Sequence, residues 1–214
     1  MARSAIAVAL GITLAGCGQK ADDVKNAMSA VQAVASGKVE EGIKEAEKFQ
    51  QERVAKGDTL AMPYAELQKL LPTEVSGYTA SEAPDGSSQS MGGFSMSQTR
   101  QRWTGTAGAD GSTPEVEVTL VDFGGTQQGY AMMAGPLMMG FSQEDAHHKA
   151  GSVKVDIPHT AGWEEFNKDT KNAKFTAMTR YRYMITVEAR NQGDDQSKMV
   201  RAMAEDIAKK FDGK

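Results

Sequence analysis

The side chains with the clearest chemical potential are sulfur and imidazole. The chain carries 13 methionines, and four stand as pairs, Met132-Met133 and Met138-Met139, on either side of Ala134-Gly135-Pro136-Leu137. Thioether sulfur is a soft donor that suits Cu(I). Met132 and Met138 with His147 would therefore form the donor set of a copper-handling protein. The same flexible, polarizable side chains also fill core gaps and make adaptable contact surfaces. The simplest reading of these methionines is a core helix filled with Met; the first functional reading makes Gly129 to Phe141, broken by Pro136, a ligand or partner surface formed by Tyr130, Met132, Met133, Met138, Met139 and Phe141. Copper is the alternative, and no metal is assigned.

The three histidines are His147, His148 and His159. Neighbours point apart in regular structure, and no two have the spacing of helical metal ligands. Glu144, Asp145 and Asp156 are near in sequence, and Glu144 would share a helical face with His148 four residues on. The simplest reading is three surface histidines and a solvated Glu–His pair. No Gly-x-Ser-x-Gly elbow, Walker loop, His-Glu-x-x-His or dinucleotide fingerprint occurs, and the glycine pairs at 92–93 and 124–125 read as turns. The chemistry favours a non-catalytic binding module with no cofactor. A third reading, an envelope hydrolase with catalytic residues scattered in sequence, requires a perturbed acid in a cleft beside His148 or His159. Arg100, Arg102, Trp103 and the run Arg180-Tyr181-Arg182-Tyr183 put cations and aromatics on neighbouring strands. They suit an anionic or glycan surface or, more simply, the solvated face of a sheet with arginine stems over rings.

The formal net charge is −4, with acids and bases interspersed. That argues against nucleic acid as a partner and against a peripheral grip on anionic lipid. The single cysteine is Cys17, so residues beyond it have no disulfide, thiolate metal site or thiol nucleophile. Before it, Arg3 precedes an apolar run from Ala5 to Leu14, shorter than the roughly 20 residues of a membrane-spanning helix. The run closes on Leu14-Ala15-Gly16-Cys17. In this the chain resembles the bacterial lipoprotein family, whose lipobox places an aliphatic and two small residues before cysteine. The resemblance covers about the first twenty residues. It implies cleavage before Cys17 and acylation of its sulfur and new amino group, and several acyl chains anchor stably where one does not. Gly18 stands where inner-membrane retention in enteric bacteria uses Asp, so the expected address is the periplasmic face of the outer membrane. The expected partners are the membrane, through this lipid, and an envelope protein or small apolar ligand.

Three regions follow: a signal peptide at 1–16, a lipid-anchored helical segment at 17–57, and an α+β domain at 58–214. Residues 22–56 have apolar positions at three- and four-residue steps, from Val24 through Val39 and Ile43 to Phe49. Gly37 and Gly42 predict a break. Pro63 opens a short helix from Tyr64 to Leu71. Strands are predicted at Tyr78–Ala83, Phe94–Thr104, Glu115–Asp122, Trp163–Phe166, Phe175–Tyr181 and Tyr183–Ala189. The best pattern is Val116, Val118 and Leu120 inward against Glu115, Glu117 and Thr119 outward. Residues 84–93 read as a mobile loop or turn, and Thr126 to Gly135 as a helix. Asp195 or Ser197 caps a last helix through Phe211, with Val200, Met203, Ile207 and Phe211 buried. Strands grouped with a few helices, without βαβ alternation, give an α+β class: an antiparallel sheet with helices packed on one face, preceded by an N-terminal helical segment.

Overall fold

The structure is a computed structural model that describes residues 40–41, 44–92, 94–109, 111–124, 142–192 and 194–211. One compact unit spans Ala35–Lys214, and a second, Met1–Val34, lies outside the described residues. So do Cys17, the predicted helix from Thr126, and the Met-rich surface formed by Tyr130, Met132, Met133, Met138, Met139 and Phe141.

The unit is mainly an antiparallel sheet of nine strands, with a few helices. The strands are β1 (Thr79–Ala80), β2 (Asp85–Met91), β3 (Phe94–Thr104), β4 (Glu115–Asp122), β5 (Ser142–Glu144), β6 (His148–Lys154), β7 (Thr160–Asn167), β8 (Ala173–Thr179) and β9 (Tyr183–Arg190). Their order is β1-β3-β4-β9-β8-β7-β6-β5, with β2 also paired to β3. The described helices are α1 (44–55), α2 (Tyr64–Gln68) and α3 (Ser197–Lys209).

Period-two alternation sets the core. Val116, Val118 and Leu120 of β4 pair with Ala189, Val187 and Ile185 of β9, and all six are buried. Ala173, Phe175 and Ala177 of β8 continue that face. Val200, Ala204, Ile207, Ala208 and Phe211, spaced for one side of a helix, belong to the same buried cluster. Gly162 on β7 is required by close approach: a Cβ there would meet Val155 Cγ2 at 2.6 Å and Phe175 Cζ at 2.8 Å. A smaller cluster, Val121, Phe123 and Met178 with Met96, Trp163 and Met184 against it, occupies the opposite side of the strands.

Several predicted elements need correction. Asp85–Met91 is a strand, not a mobile loop; its backbone pairs residue by residue with β3 while its side chains stay largely exposed. Such an edge strand has no apolar alternation to reveal it. Strands β5 and β6 were not anticipated, because Gly151 and flanking polar residues mask any period. The strand predicted at Tyr78–Ala83 shrinks to Thr79–Ala80, and the helix from Tyr64 ends at Gln68. At the last helix Asp195 Oδ1 accepts the Ser197 N–H at 2.8 Å, but the N-cap residue Gln196 makes no side-chain cap bond.

Candidate functional site: a cationic cavity at the β8–β9 turn

The inward face of β4 ends on a charge. Asp122 continues the positions of Val116, Val118 and Leu120 and is fully buried. Its register partner on β9 is Tyr183, and the residue before that strand is Arg182, 5% exposed. The Arg182 guanidinium donates from Nε to Asp122 Oδ1 at 2.6 Å and from Nη2 to Oδ2 at 2.9 Å. It also donates to Asp58 Oδ2 at 2.7 Å and to the Leu60 carbonyl at 2.9 Å. The backbone N–H groups of Gly124 and Met62 donate to the two Asp122 oxygens at 2.7 Å each. Four donors thus saturate this carboxylate, which leaves it no role as a proton acceptor. Burial opposes the charge on Arg182, but the bonds to Asp122 outweigh it and hold the guanidinium cationic. The cluster ties 58–62 to the ends of β4 and β9. Gly124 permits this closure: its φ is +58, and a Cβ would meet the Ser95 carbonyl at 2.5 Å.

Beside it sits a strained turn. Arg180 and Tyr181 have φ of 53 and 52, and His159 in the β6–β7 connection has φ of 54. Left-handed pairs in tight hairpins normally use Asn and Gly; Arg and Tyr here carry a backbone cost of order 1 kcal/mol each or more. The Arg180 N–H donates to the His159 carbonyl at 2.9 Å, which joins the two connections. Helix α1 lies across them. Phe49 meets the His159 ring edge-on at 4.8 Å between centroids and the Tyr181 ring at 5.3 Å. The Tyr181 hydroxyl donates to Glu45, and Arg53 Nη1 donates to the Gly124 carbonyl at 3.0 Å.

Between α1 and the turn is a partly open cavity of about 120 Å³, lined by Phe49, Glu52, Arg53, Lys56, Arg180, Arg182 and Tyr183. Four of these are cations and one is a carboxylate. Arg182 is already engaged by Asp58 and Asp122. One wall donor, the buried Arg53 Nε–H, has no acceptor among the described residues. The Tyr183 hydroxyl is a second polar group on the lining, and its ring packs on Phe211 at 4.2 Å. Burial and the charge of Arg182 lower the Arg53 pKa. Burial pushes the Tyr183 hydroxyl up to about 12, with the Asp122 charge adding to it, so the group stays a donor at neutral pH.

The run Arg180–Tyr183 departs from the expected solvated sheet face: Arg182 and Tyr183 are buried, and the cavity wall is made from both. Arg100 and Arg102 are separate from it, paired with Asp85 at 2.8 Å and Glu117 at 2.9 Å, while Trp103 is buried in the core. The histidines are dispersed. His147 is exposed and bonds Asp169 at 2.9 Å, His148 opens β6, and His159 joins the aromatic rim. Glu144 and His148 lie on strands rather than on one helical face, and Lys168 takes up Glu144. Asp145 is held below the usual carboxylate range by the backbone N–H groups of His147 and His148, the wrong direction for a general acid. Among the described residues no group of three His, Cys, Asp or Glu is placed to hold a metal ion. Arg53, Lys56 and Phe49 were not singled out as site residues, because only the docking of α1 brings them to the turn.

No family model matches the chain, and no curated protein matches it. Among solved structures, the extracellular domain of PknH from Mycobacterium tuberculosis is similar, at a TM-score of 0.42 and 12% identity, over 71% of this chain and 99% of that one. No helix among the described residues is long and apolar enough to cross a membrane.

Proposed function

We propose that the chain is an exported lipoprotein whose α+β domain is a non-catalytic binding module, with the cavity between α1 and the β8–β9 turn as its site. The observation that carries the binding role is the unmet donor Arg53 Nε in a cavity lined by three further cations. A buried donor left without an acceptor costs about 1–3 kcal/mol, so such a site is primed for a ligand that supplies one. The saturated Asp122 speaks for binding over hydrolysis. In this reading α2 and α3 lie together on one face of the sheet and leave its turn end open to α1. The polar wall shifts the expected ligand from an apolar to an anionic one.

The anchor rests on Leu14-Ala15-Gly16-Cys17. Residues 1–16 are removed, 17–57 lead from the lipid to the domain, and 58–214 carry it at the periplasmic face of the outer membrane. The membrane, through this lipid, is then one partner and an envelope component the other. Intact mass and membrane fractionation of the native protein beside Cys17→Ala test this. The reading requires a native chain that begins at an acylated Cys17 and a variant that leaves the membrane fraction. An unacylated native chain in the aqueous fraction overturns the anchor.

A further inference from the structure

The chemistry of the cavity wall allows its ligand to be named by class. We infer that the cavity binds a phosphoryl group, held by Arg53 and Tyr183 from within and by Lys56 and Arg180 at its mouth. The inference rests on the binding-module reading and specifies its ligand.

Three observations select this class. The first is size. A volume of about 120 Å³ is below the roughly 300–1,000 Å³ of pockets that enclose drug-sized ligands. It is close to an engineered cavity of roughly 150 Å³ that admits benzene. One compact group fits, and a nucleotide does not. The second is charge. Arg53 and Lys56 line the wall beside Arg182, which Asp58 and Asp122 neutralise, and Arg180, which has a partner of its own, against Glu52 alone among the lining carboxylates. Lys56 is exposed and has no ion-pair partner among the described residues. An anion would also relieve the mutual repulsion between Arg53 and Arg182 that weakens the hold on the Arg53 proton. The third is donor geometry. The donors arrive from different elements: Arg53 from α1, Lys56 from just beyond it, Arg180 from the turn and Tyr183 from β9. A phosphoryl group carries about −1.5 to −2 charges at pH 7 and spreads three strong acceptor oxygens over a tetrahedron. A carboxylate offers one charge and two oxygens in a plane. Donors brought in by several elements match the tetrahedral group better.

The source is either a free phosphate compound or the headgroup of a membrane lipid. The test uses the full-length acylated protein in neutral detergent micelles, at constant ionic strength set with chloride so that screening does not vary. Inorganic phosphate, glycerol 3-phosphate and acetate are titrated by calorimetry against the native protein, Arg53→Gln and Lys56→Gln. Lys56 is exposed, so its substitution leaves the fold intact even if Arg53→Gln does not. The expected result is saturable binding of inorganic phosphate, with each substitution weakening it about tenfold or more, as befits loss of a charge-assisted bond. Micelles doped with phosphatidic acid then separate the sources. Competition with inorganic phosphate assigns the site to a headgroup, and no competition assigns it to a free compound. If acetate binds and Lys56→Gln weakens it while phosphate does not bind, the phosphoryl assignment is overturned and the binding module stands. If phosphate binds equally well to both variants, or no anion binds at all, the cavity is not its site. The acylation test on Cys17 is independent of each of these results.

Discussion

The same central strands close their two ends by different means. Beside α3 the core is closed mainly by apolar side chains: Val187, Phe175 and Ile207 belong to one buried cluster. At the turn end, Asp122, Arg182 and Asp58 do the equivalent work through hydrogen bonds, with α1 laid over the result. Apolar closure is forgiving, because it depends on shape and volume. Ionic closure is far less forgiving, since Asp122 or Arg182 without the other is a buried charge. The ionic end is also where the strained turn and the cavity lie, a combination that fixes side chains tightly while keeping polar donors near a surface.

The largest difference between the ends should appear when a partner is removed. Asp122→Ala takes two of the four bonds of Arg182, leaving Asp58 and the Leu60 carbonyl, and withdraws the acceptor from two backbone N–H groups; it should destabilise by about 3–5 kcal/mol. Arg182→Met leaves the buried Asp122 carboxylate two amide donors but no counter-charge and should cost about as much. Ile207→Val beneath α3 should cost only about 0.5–1.5 kcal/mol. Urea unfolding of the three variants measures this. An Asp122→Ala cost no larger than that of Ile207→Val would mean that the ionic cluster is dispensable, and the contrast between the ends would collapse.

The next effect is in pH. Tyr183 ionises ordinarily at 10.0 and, in the folded chain, at about 12 because of burial and then the Asp122 charge. Between those values the unfolded chain has lost a proton that the folded chain keeps. Stability is therefore fully present below pH 10 and falls as pH rises toward 12, by about 3 kcal/mol at most. Tyr183→Phe keeps the ring on Phe211 and removes the titration. Subtracting its stability from that of the native protein at pH 9 and again near 12 isolates the hydroxyl. A difference that does not change with pH would place Tyr183 in a wetter site than the closed wall described here.

These two ends also differ in how far they could be read from sequence. The α3 end was legible because Val116, Val118 and Leu120 alternate and Val200, Ile207 and Phe211 recur at helical steps, so periodicity alone assigns their faces. Asp122 extends the same alternation inward, yet its charge argues for exposure, and only Arg182, 60 residues away, resolves the conflict. Ser95, Ser97, Thr99 and Gln101 form a buried polar row on β3. Its bonds run to groups such as the Ala61 N–H at 2.8 Å and the Glu82 carbonyl at 2.6 Å. Hydropathy reads such a row as solvent-facing, because it counts polarity and not partners. The Arg180–Tyr183 run did signal an anionic surface. Its partners on α1 could not be found, because nothing local specifies that Phe49 and Arg53 dock against a turn more than 120 residues later.

The smallest effect probes that docking. Lys171, in the β7–β8 connection, has φ of 56, is exposed and makes no bond among the described residues; Tyr181 has φ of 52 but contacts α1 through Phe49 and Glu45. Lys171→Gly relieves left-handed strain and gives part of the gain back as unfolded-state entropy, for a net stabilisation of about 0.5–1 kcal/mol. Tyr181→Gly relieves the same strain but removes ring contacts that contribute about 0.5–1.5 kcal/mol each, together with the hydroxyl bond to Glu45. It should therefore be destabilising by about 1 kcal/mol, and the opposite signs can be read from thermal unfolding of the two variants side by side. If Tyr181→Gly stabilises as much as Lys171→Gly, the contacts across α1 contribute nothing to the fold. The turn would then be strained without compensation, and the wall that α1 supplies to the cavity would be open as often as closed.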